Sequence, residues 1–300
     1  MSAIKHTHLE LDKRALANRF GSRAESYEAA TPVQQVMGQC LLDKIRSEQP
    51  NVNVQEILEV GCGTGRLTRA LKALFPSANI TAIDISREMI DHAAKQVSGP
   101  DYLVVDAEEY LQSLNRRFDL IVSNATVQWF VHLDKAIERM CSVLAPGGFL
   151  ALGTFAERTF CELAEAFNCA YQKNQLAVQN HVVPMKSVDY LRQLLPEAEL
   201  VERDILAHFA DVRTFLQTIK DAGAVNSQTG QRPIPRTVLR DMPHYYEALY
   251  KKPGSREIQV TYHTCFLFYR RPTCCCWRFC YSIILLHSSS VNCPVTGSFC

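Results

Sequence analysis

One ten-residue segment, 56–65, constrains this chain more than any other: Glu-Ile-Leu-Glu-Val-Gly-Cys-Gly-Thr-Gly. Its first half is a short apolar run stopped by a turn signal, the pattern of a strand buried on both faces. Its second half sets glycines at 61, 63 and 65, so backbone can approach a ligand that side chains would hold off. An amphipathic pattern then runs to Leu74. A buried strand feeding a glycine loop and a helix is the opening unit of an open α/β sheet, whose ligands bind outside the carboxyl ends of the strands at the switch point. Two common uses of such a loop do not fit. The dinucleotide pattern G-x-G-x-x-G needs glycine at 66, where Arg66 stands, and no Lys followed by Ser or Thr comes after the glycines to make a Walker loop.

The same unit repeats downstream. Strands are expected at 79–84, 102–106 and 118–123, a helix capped by Ser86 after the first of these, and a helix at about 133–144. Pro146, Gly147 and Gly148 turn the chain into a fifth strand ending near Phe155. Upstream, Thr31 with Pro32 at the first helical position and Gln34 at the third reads as a capping box, opening a helix that buries Val33, Val36, Met37, Cys40, Leu41 and Ile45. Apolar helical faces recur at Phe160, Leu163, Ala164, Phe167, Ala170 and Tyr171, and again at Val212, Phe215, Leu216 and Ile219. Two last strands are expected at 199–209 and 257–269, the latter alternating Ile258, Val260, Tyr262 against Gln259, Thr261, His263. With right-handed crossovers these units give an α/β fold with a doubly wound, mostly parallel seven-stranded sheet, Rossmann-like, carrying a helical insertion at about 157–250.

Composition narrows the partners. With 32 basic and 31 acidic residues there is no bulk field to attract nucleic acid or an anionic membrane. The first 14 residues hold no apolar stretch of signal-peptide length, and no 18-residue apolar run follows, so a soluble cytoplasmic protein is expected. Of 12 cysteines, Cys40, Cys62, Cys141, Cys161, Cys169 and Cys265 are scattered through apolar segments and read as reduced core residues. Cys274, Cys275, Cys276, Cys280, Cys293 and Cys300 crowd a segment, 272–300, that has no acidic residue. Its cysteines lack finger-like spacing, so no metal site is expected, and the stretch reads as an atypical tail outside the fold.

Three acidic strand ends surround the glycine loop. Glu59 precedes it; Asp84 ends the second strand, where its carboxylate suits two ribose hydroxyls or, alternatively, a cap shared with Ser86. Ile85 follows, and Met89 lies one helical turn on, placed to cover an adenine. Asp106, followed by Ala107, ends the third strand or caps a helix, and Asn124 follows the fourth.

These residues carry a resemblance. Glu59 to Gly65, Ala82-Ile83-Asp84, Asp106-Ala107, Ser123-Asn124-Ala125 and Leu144-Ala145-Pro146-Gly147-Gly148 are similar to the successive motifs of the class I S-adenosylmethionine (SAM)-dependent methyltransferases, in order and spacing. Within that class, Arg19-Phe20 with Ser26-Tyr27, Ala125-Thr126-Val127-Gln128-Trp129, Gly223-Ala224 with Asn226, and Thr261-Tyr262-His263 resemble the malonyl-[acyl-carrier protein] O-methyltransferases of biotin synthesis, over roughly residues 13–269. The resemblance implies N-terminal helices forming a lid at 1–50 and a methyltransferase domain at 51–271. It implies a carboxyl O-methyltransferase with SAM as co-substrate, held by Glu59, Gly61, Cys62, Gly63, Gly65, Asp84, Ile85, Met89, Asp106, Ala107 and Asn124. Tyr27, Gln128 and Trp129 are the implied catalytic positions, Tyr27 as part of the lid and the other two as a substrate wall. The implied partner is malonyl-acyl carrier protein or malonyl-CoA, met by a monomer. A carboxylate acceptor is already ionised at neutral pH, so the reaction asks for alignment rather than a general base. Methylation of another small acid of aconitate type, or SAM binding without catalysis, are the alternatives.

Overall fold

The computed structural model describes residues 12–48, 54–223, 233–251, 254–255 and 257–273. Three helices come first: α1 (Lys13–Gly21), the single turn α2 (Tyr27–Ala30) and α3 (Pro32–Glu48). The alternating region follows as β1 (Glu56–Val60), α4 (Arg66–Leu74), β2 (Asn79–Asp84), α5 (Arg87–Gln96), β3 (Asp101–Val104), α6 (Ala107–Ser113), β4 (Phe118–Asn124), α7 (Leu133–Val143) and β5 (Leu144–Phe155), with a 3-10 turn at Val127–Trp129. Then come α8 (Cys161–Lys173), α9 (Val188–Leu194), β6 (Glu199–Phe209), α10 (Val212–Asp221), α11 (Arg236–Tyr250) and β7 (Ile258–Arg270).

The strands form one seven-stranded sheet in the order β3-β2-β1-β4-β5-β7-β6. Strands β1 to β5 pair in parallel, and β7 runs antiparallel to both β5 and β6. Successive strand residues feed opposite layers, as pleating requires. Ile57, Ala82, Leu120, Val122 and Ala151 join one buried layer; Leu58, Val60, Ile83, Ile121 and Leu152 join the other. The registers Val60 to Ile83 and Val60 to Ser123 align the carboxyl ends of β1, β2 and β4. The order reverses between β1 and β4, where the chain leaves one half of the sheet for the other, and the crevice opens there.

Several local expectations change. The third strand stops at Val104, and Asp106 caps α6 instead, its Oδ1 accepting from the Glu108 N–H at 2.9 Å. Thr31 spends its hydroxyl on the Tyr27 carbonyl at 2.7 Å rather than on a capping box with Gln34, because the single turn α2 runs directly into α3. Val36 is 48% exposed, since Val33, Met37, Leu41 and Ile45 make the buried stripe and Val36 lies off it. Strand β7 buries both faces rather than one, Tyr262, Phe266 and Phe268 joining one buried layer and Cys265, Leu267 and Tyr269 the other. Its polar residues are satisfied inside: Glu162 accepts from the Thr261 N–H at 3.1 Å, and Glu202 accepts from His263 Nε2 at 2.8 Å. Of the six scattered cysteines, all free thiols, Cys62 and Cys265 are buried, Cys40, Cys141 and Cys169 are half-buried, and Cys161 is exposed at the start of α8. The cysteines at 274–300, and Ala224 and Asn226, lie outside the described residues. Among the described residues no helix is long and apolar enough to cross a membrane.

Candidate functional site: two adjoining cavities

The first cavity, about 430 Å³, opens at the carboxyl ends of β1, β2 and β4. Its floor is the glycine loop, hooked onto β2 by the Gly61 and Cys62 N–H groups, which both donate to the Ile83 carbonyl at 2.8 and 3.0 Å. Gly61 sits at φ +75°, and a Cβ there would lie 2.1 Å from the Thr126 hydroxyl oxygen. No other residue fits that position. Gly65, at φ +86°, faces away from the cavity, where a Cβ would press on Ala93 at 3.0 Å; this glycine brings α4 and α5 together.

Acceptors dominate the cavity's electrostatics. Glu59 is 1% exposed and its Oε2 has no partner; Asn124 Oδ1 is likewise buried and unpartnered, while its amide nitrogen donates to the Gln34 carbonyl at 2.8 Å. Burial pushes the Glu59 pKa up to about 8. Burial also raises that of Asp84, against the pull of the Ser86 and Gly63 N–H groups, which donate to its two oxygens at 2.9 and 3.0 Å. A pocket with two unpaired buried acceptors and a carboxyl shifted this far is prepared for a cationic, hydrogen-bond-donating ligand.

The N-terminal helices roof this cavity. Tyr27 reaches over the loop, its ring carbon Cε1 about 4.0 Å from where a Gly63 Cβ would stand. Glu28 ties α2 to the loop, accepting from the Thr64 hydroxyl at 3.1 Å and from Arg66 at 2.7 Å. Lys13 of α1 bridges Asp106 and Glu108 at 2.6 and 2.5 Å.

A second cavity, about 510 Å³, adjoins the first. Five residues line both: Phe20, Tyr27, Gln34, Ala125 and Trp129. Three of them form an aromatic partition, the Phe20 ring meeting Tyr27 at 6.2 Å and Trp129 at 5.8 Å, both edge-on. Beyond it the wall is mainly apolar, built by Phe155, Phe160, Leu163, Phe167, Met185 and Ile219 among others. Ala125, at the hinge between the cavities, holds φ +50°, a strained value for a residue with a Cβ.

Comparison with known proteins matches these features to a lineage. Residues 57–148 match the methyltransferase domain family. Malonyl-[acyl-carrier protein] O-methyltransferase of Acetivibrio thermocellus is 33% identical over 277 residues, covering 87% of this chain and 95% of its own. The protein of the same name from Priestia megaterium is 34% identical over 275 residues, covering 86% and 97%. This chain belongs to the malonyl-[acyl-carrier protein] O-methyltransferase family. The fold is shared with the crystal structure of the YcgJ protein from Bacillus subtilis, at TM-score 0.51 and 14% identity over 78% of this chain and 99% of that one. The protein is thus a SAM-dependent methyltransferase of Rossmann-like class I architecture.

Against this family assignment, most residues singled out in the sequence converge. Glu59, Gly61, Cys62, Gly63, Asp84, Ile85, Met89, Asp106, Ala107 and Asn124 all line the first cavity, and Gly65 does not. Tyr27 and Trp129 stand on the partition; Gln128 faces the second cavity alone, fixed by a 2.8 Å bond to the Ala125 carbonyl and a 3.2 Å bond from Thr154. His263, named above within a motif, is fully buried in β7 and lines neither cavity, its Nδ1 accepting from the Arg158 N–H at 3.1 Å. The sequence reading missed Lys13 and Glu28, and placed Phe20 and Thr126 only within motifs. A lone charge or hydroxyl in a helical stretch carries no local signal that it will meet a loop 36 to 95 residues away.

Proposed function

We propose that this methyltransferase transfers the methyl group of SAM to the free carboxylate of malonyl-acyl carrier protein, an early step in biotin synthesis, with the donor in the first cavity and the thioester arm in the second. The observation that carries this reading is the chemistry of the junction. Of the five residues lining both cavities, Tyr27 alone is titratable, and burial with the nearby Asp84 charge holds its phenol protonated far above neutral pH. The junction therefore offers nothing to deprotonate an amine or an alcohol. The acceptor must arrive as a nucleophile, which a carboxylate does.

When bound, SAM supplies an electrophilic methyl on a positively charged sulfur. The chain's own residues hold and shield the reactants. Glu59 Oε2 and Asn124 Oδ1 are the unpaired acceptors for the donor's cationic end; Asp84 takes ribose hydroxyls; Ile85, Met89 and Ala107 enclose the base, with Asp106 at its edge. Gly61, Cys62 and Gly63 supply close backbone. Phe20, Tyr27 and Trp129 exclude water from the point of transfer, where an anion and a cation lose their charges together and a dry setting favours the transition state. Gln128 presents an amide N–H toward the acceptor side.

The test is methyl transfer from SAM to malonyl-carrier protein, malonyl-CoA, free malonate and an aconitate-type acid. The carrier-bound acid should give the highest kcat/KM, because contacts remote from the carboxylate are used to orient it. Equal kcat/KM on the free acids would move the assignment to a small-acid methyltransferase, and SAM binding without turnover on any acid would make the chain a binding module.

A further inference from the structure

The apolar wall of the second cavity is interrupted by one imidazole. His181, between α8 and α9, is half-buried, its ring packed on Phe167 at 4.7 Å and stacked on Tyr171 at 5.6 Å. Its Nε2 lies 2.7 Å from the hydroxyl of Tyr171, a fully buried side chain. Burial lowers the imidazole pKa, so at neutral pH the ring is uncharged and one nitrogen carries the proton. The 2.7 Å contact fits either direction of donation; with the phenol, the more acidic partner, donating to Nε2, the ring proton sits on Nδ1, to which no hydrogen bond from a described residue is directed.

The other polar groups away from the junction are mostly committed. The Thr159 hydroxyl donates to the His263 carbonyl at 2.9 Å, the Thr218 hydroxyl to the Thr214 carbonyl at 3.0 Å, and Lys220 is exposed. Beside Gln128, whose amide is tied to Ala125 at the junction and assigned above to the acceptor's carboxylate side, that leaves the Tyr262 phenol and the His181 ring, of which the ring is the one held in orientation by a second side chain.

We propose that His181, aligned by Tyr171, donates a hydrogen bond from Nδ1 to a carbonyl oxygen of the acceptor's thioester arm and so fixes the acyl group in the second cavity. The inference rests on the acceptor reading above. An uncharged donor suits this task. It recognises a carbonyl without drawing the carboxylate away from the junction, as a cation at the same place would.

The experiment compares three acceptors on the full-length enzyme: the malonyl thioester of N-acetylcysteamine, the malonyl thioester of a plain alkyl thiol lacking the amide carbonyl, and the thioether acid lacking the thioester carbonyl. In the wild type, removing the carbonyl that His181 reads should lower kcat/KM about threefold to tenfold, the worth of one neutral hydrogen bond. In His181→Phe, which keeps the ring's bulk, that penalty should vanish. His181→Gln, which retains an N–H donor, should restore part of it, and Tyr171→Phe should shrink it. The SAM dissociation constant should be the same in all four proteins. Turnover by the wild type with the same carbonyl penalty in His181→Phe overturns the role of His181 and leaves the acceptor reading intact. No turnover of any malonyl thioester or malonyl-carrier protein by the wild type overturns both.

Discussion

Glu59 allows the electrostatics of the donor cavity to be measured directly. Its carboxyl titrates near 8 in the folded chain against an ordinary 4.5, chiefly because burial disfavours the anion. Between those values the folded state holds a proton that the unfolded state has lost. This group's contribution to stability is therefore complete below pH 4.5 and is lost as pH rises through 8, a total on the order of 5 kcal/mol. Glu59→Gln removes the titration while nearly keeping the shape. In urea melts of the ligand-free protein at pH 5, 6.5 and 8, the variant should gain several kcal/mol on the wild type from the lowest pH to the highest, again on the linkage arithmetic. Comparing the two proteins at each pH cancels most of the contribution from Asp84, whose pKa is also raised. A cationic donor bound beside Glu59 should ionise it, so calorimetry at pH 7 in buffers of different ionisation enthalpy should show protons released by the wild type and few by the variant. The variant should also bind SAM roughly 10- to 100-fold more weakly, the value of one charged hydrogen bond. Parallel stability profiles for the two proteins would refute the reasoning, because Glu59 would then be titrating as a hydrated carboxylate.

Asp84→Ala should weaken SAM binding at least about tenfold by calorimetry, since hydrogen bonds to a charged carboxylate are lost; an unchanged dissociation constant in a variant that still melts cooperatively would remove Asp84 from the site. Gly61→Ala should cost about 1–3 kcal/mol of stability from the positive φ alone. The collision with Thr126 should add to that and abolish donor binding, so a variant melting like the wild type counts against the loop geometry. A chain ending at Thr273 should keep its turnover. Arg271, whose backbone exchanges bonds with Gly147 and Gly148 at 2.9 Å each, is the last residue seen stitched to the sheet; loss of activity in a folded truncation would extend the enzyme into 274–300.

How much of this was legible follows from how local each signal is. The bounds of β1, β2, α4 and β6 stand where expected, because apolar runs end at glycine, Asp or a cap within a residue or two. The lining of the first cavity was equally readable: Gly61, Asp84, Asp106 and Asn124 each stand at or just after a strand's carboxyl end, and sheet register gathers strand ends automatically. Helices α9 and α11 escaped individual notice. The first has 7 residues, and the second contains Pro243, which breaks the periodic pattern that would announce it. The alternation in β7 pointed to one buried face, but packing layers assembled from distant parts of the chain cover both, which no window of its own residues records. The second cavity is the extreme case, since its wall draws Phe20, Phe155, Phe167, His181, Ile219 and Tyr262 from six separate elements or loops.

Strand β7 sits between β5 and β6 although it is made after both. On the ribosome, β5 and β6 therefore emerge with facing edges unpaired, and the 11 residues of β6 have no strand partner until β7 is made. At ordinary elongation rates the interval between Phe209 and Arg270 lasts roughly 3–12 s. For that time the nascent chain displays two open templates for pairing with other chains, a recognised aggregation hazard. Tyr262, which closes one side of the second cavity, arrives in the same late strand. The parallel half of the sheet and its glycine loop are free to organise first, while the acceptor side waits on translation of its final strand, so slower elongation across 210–257 would lengthen the vulnerable period without altering a single native contact.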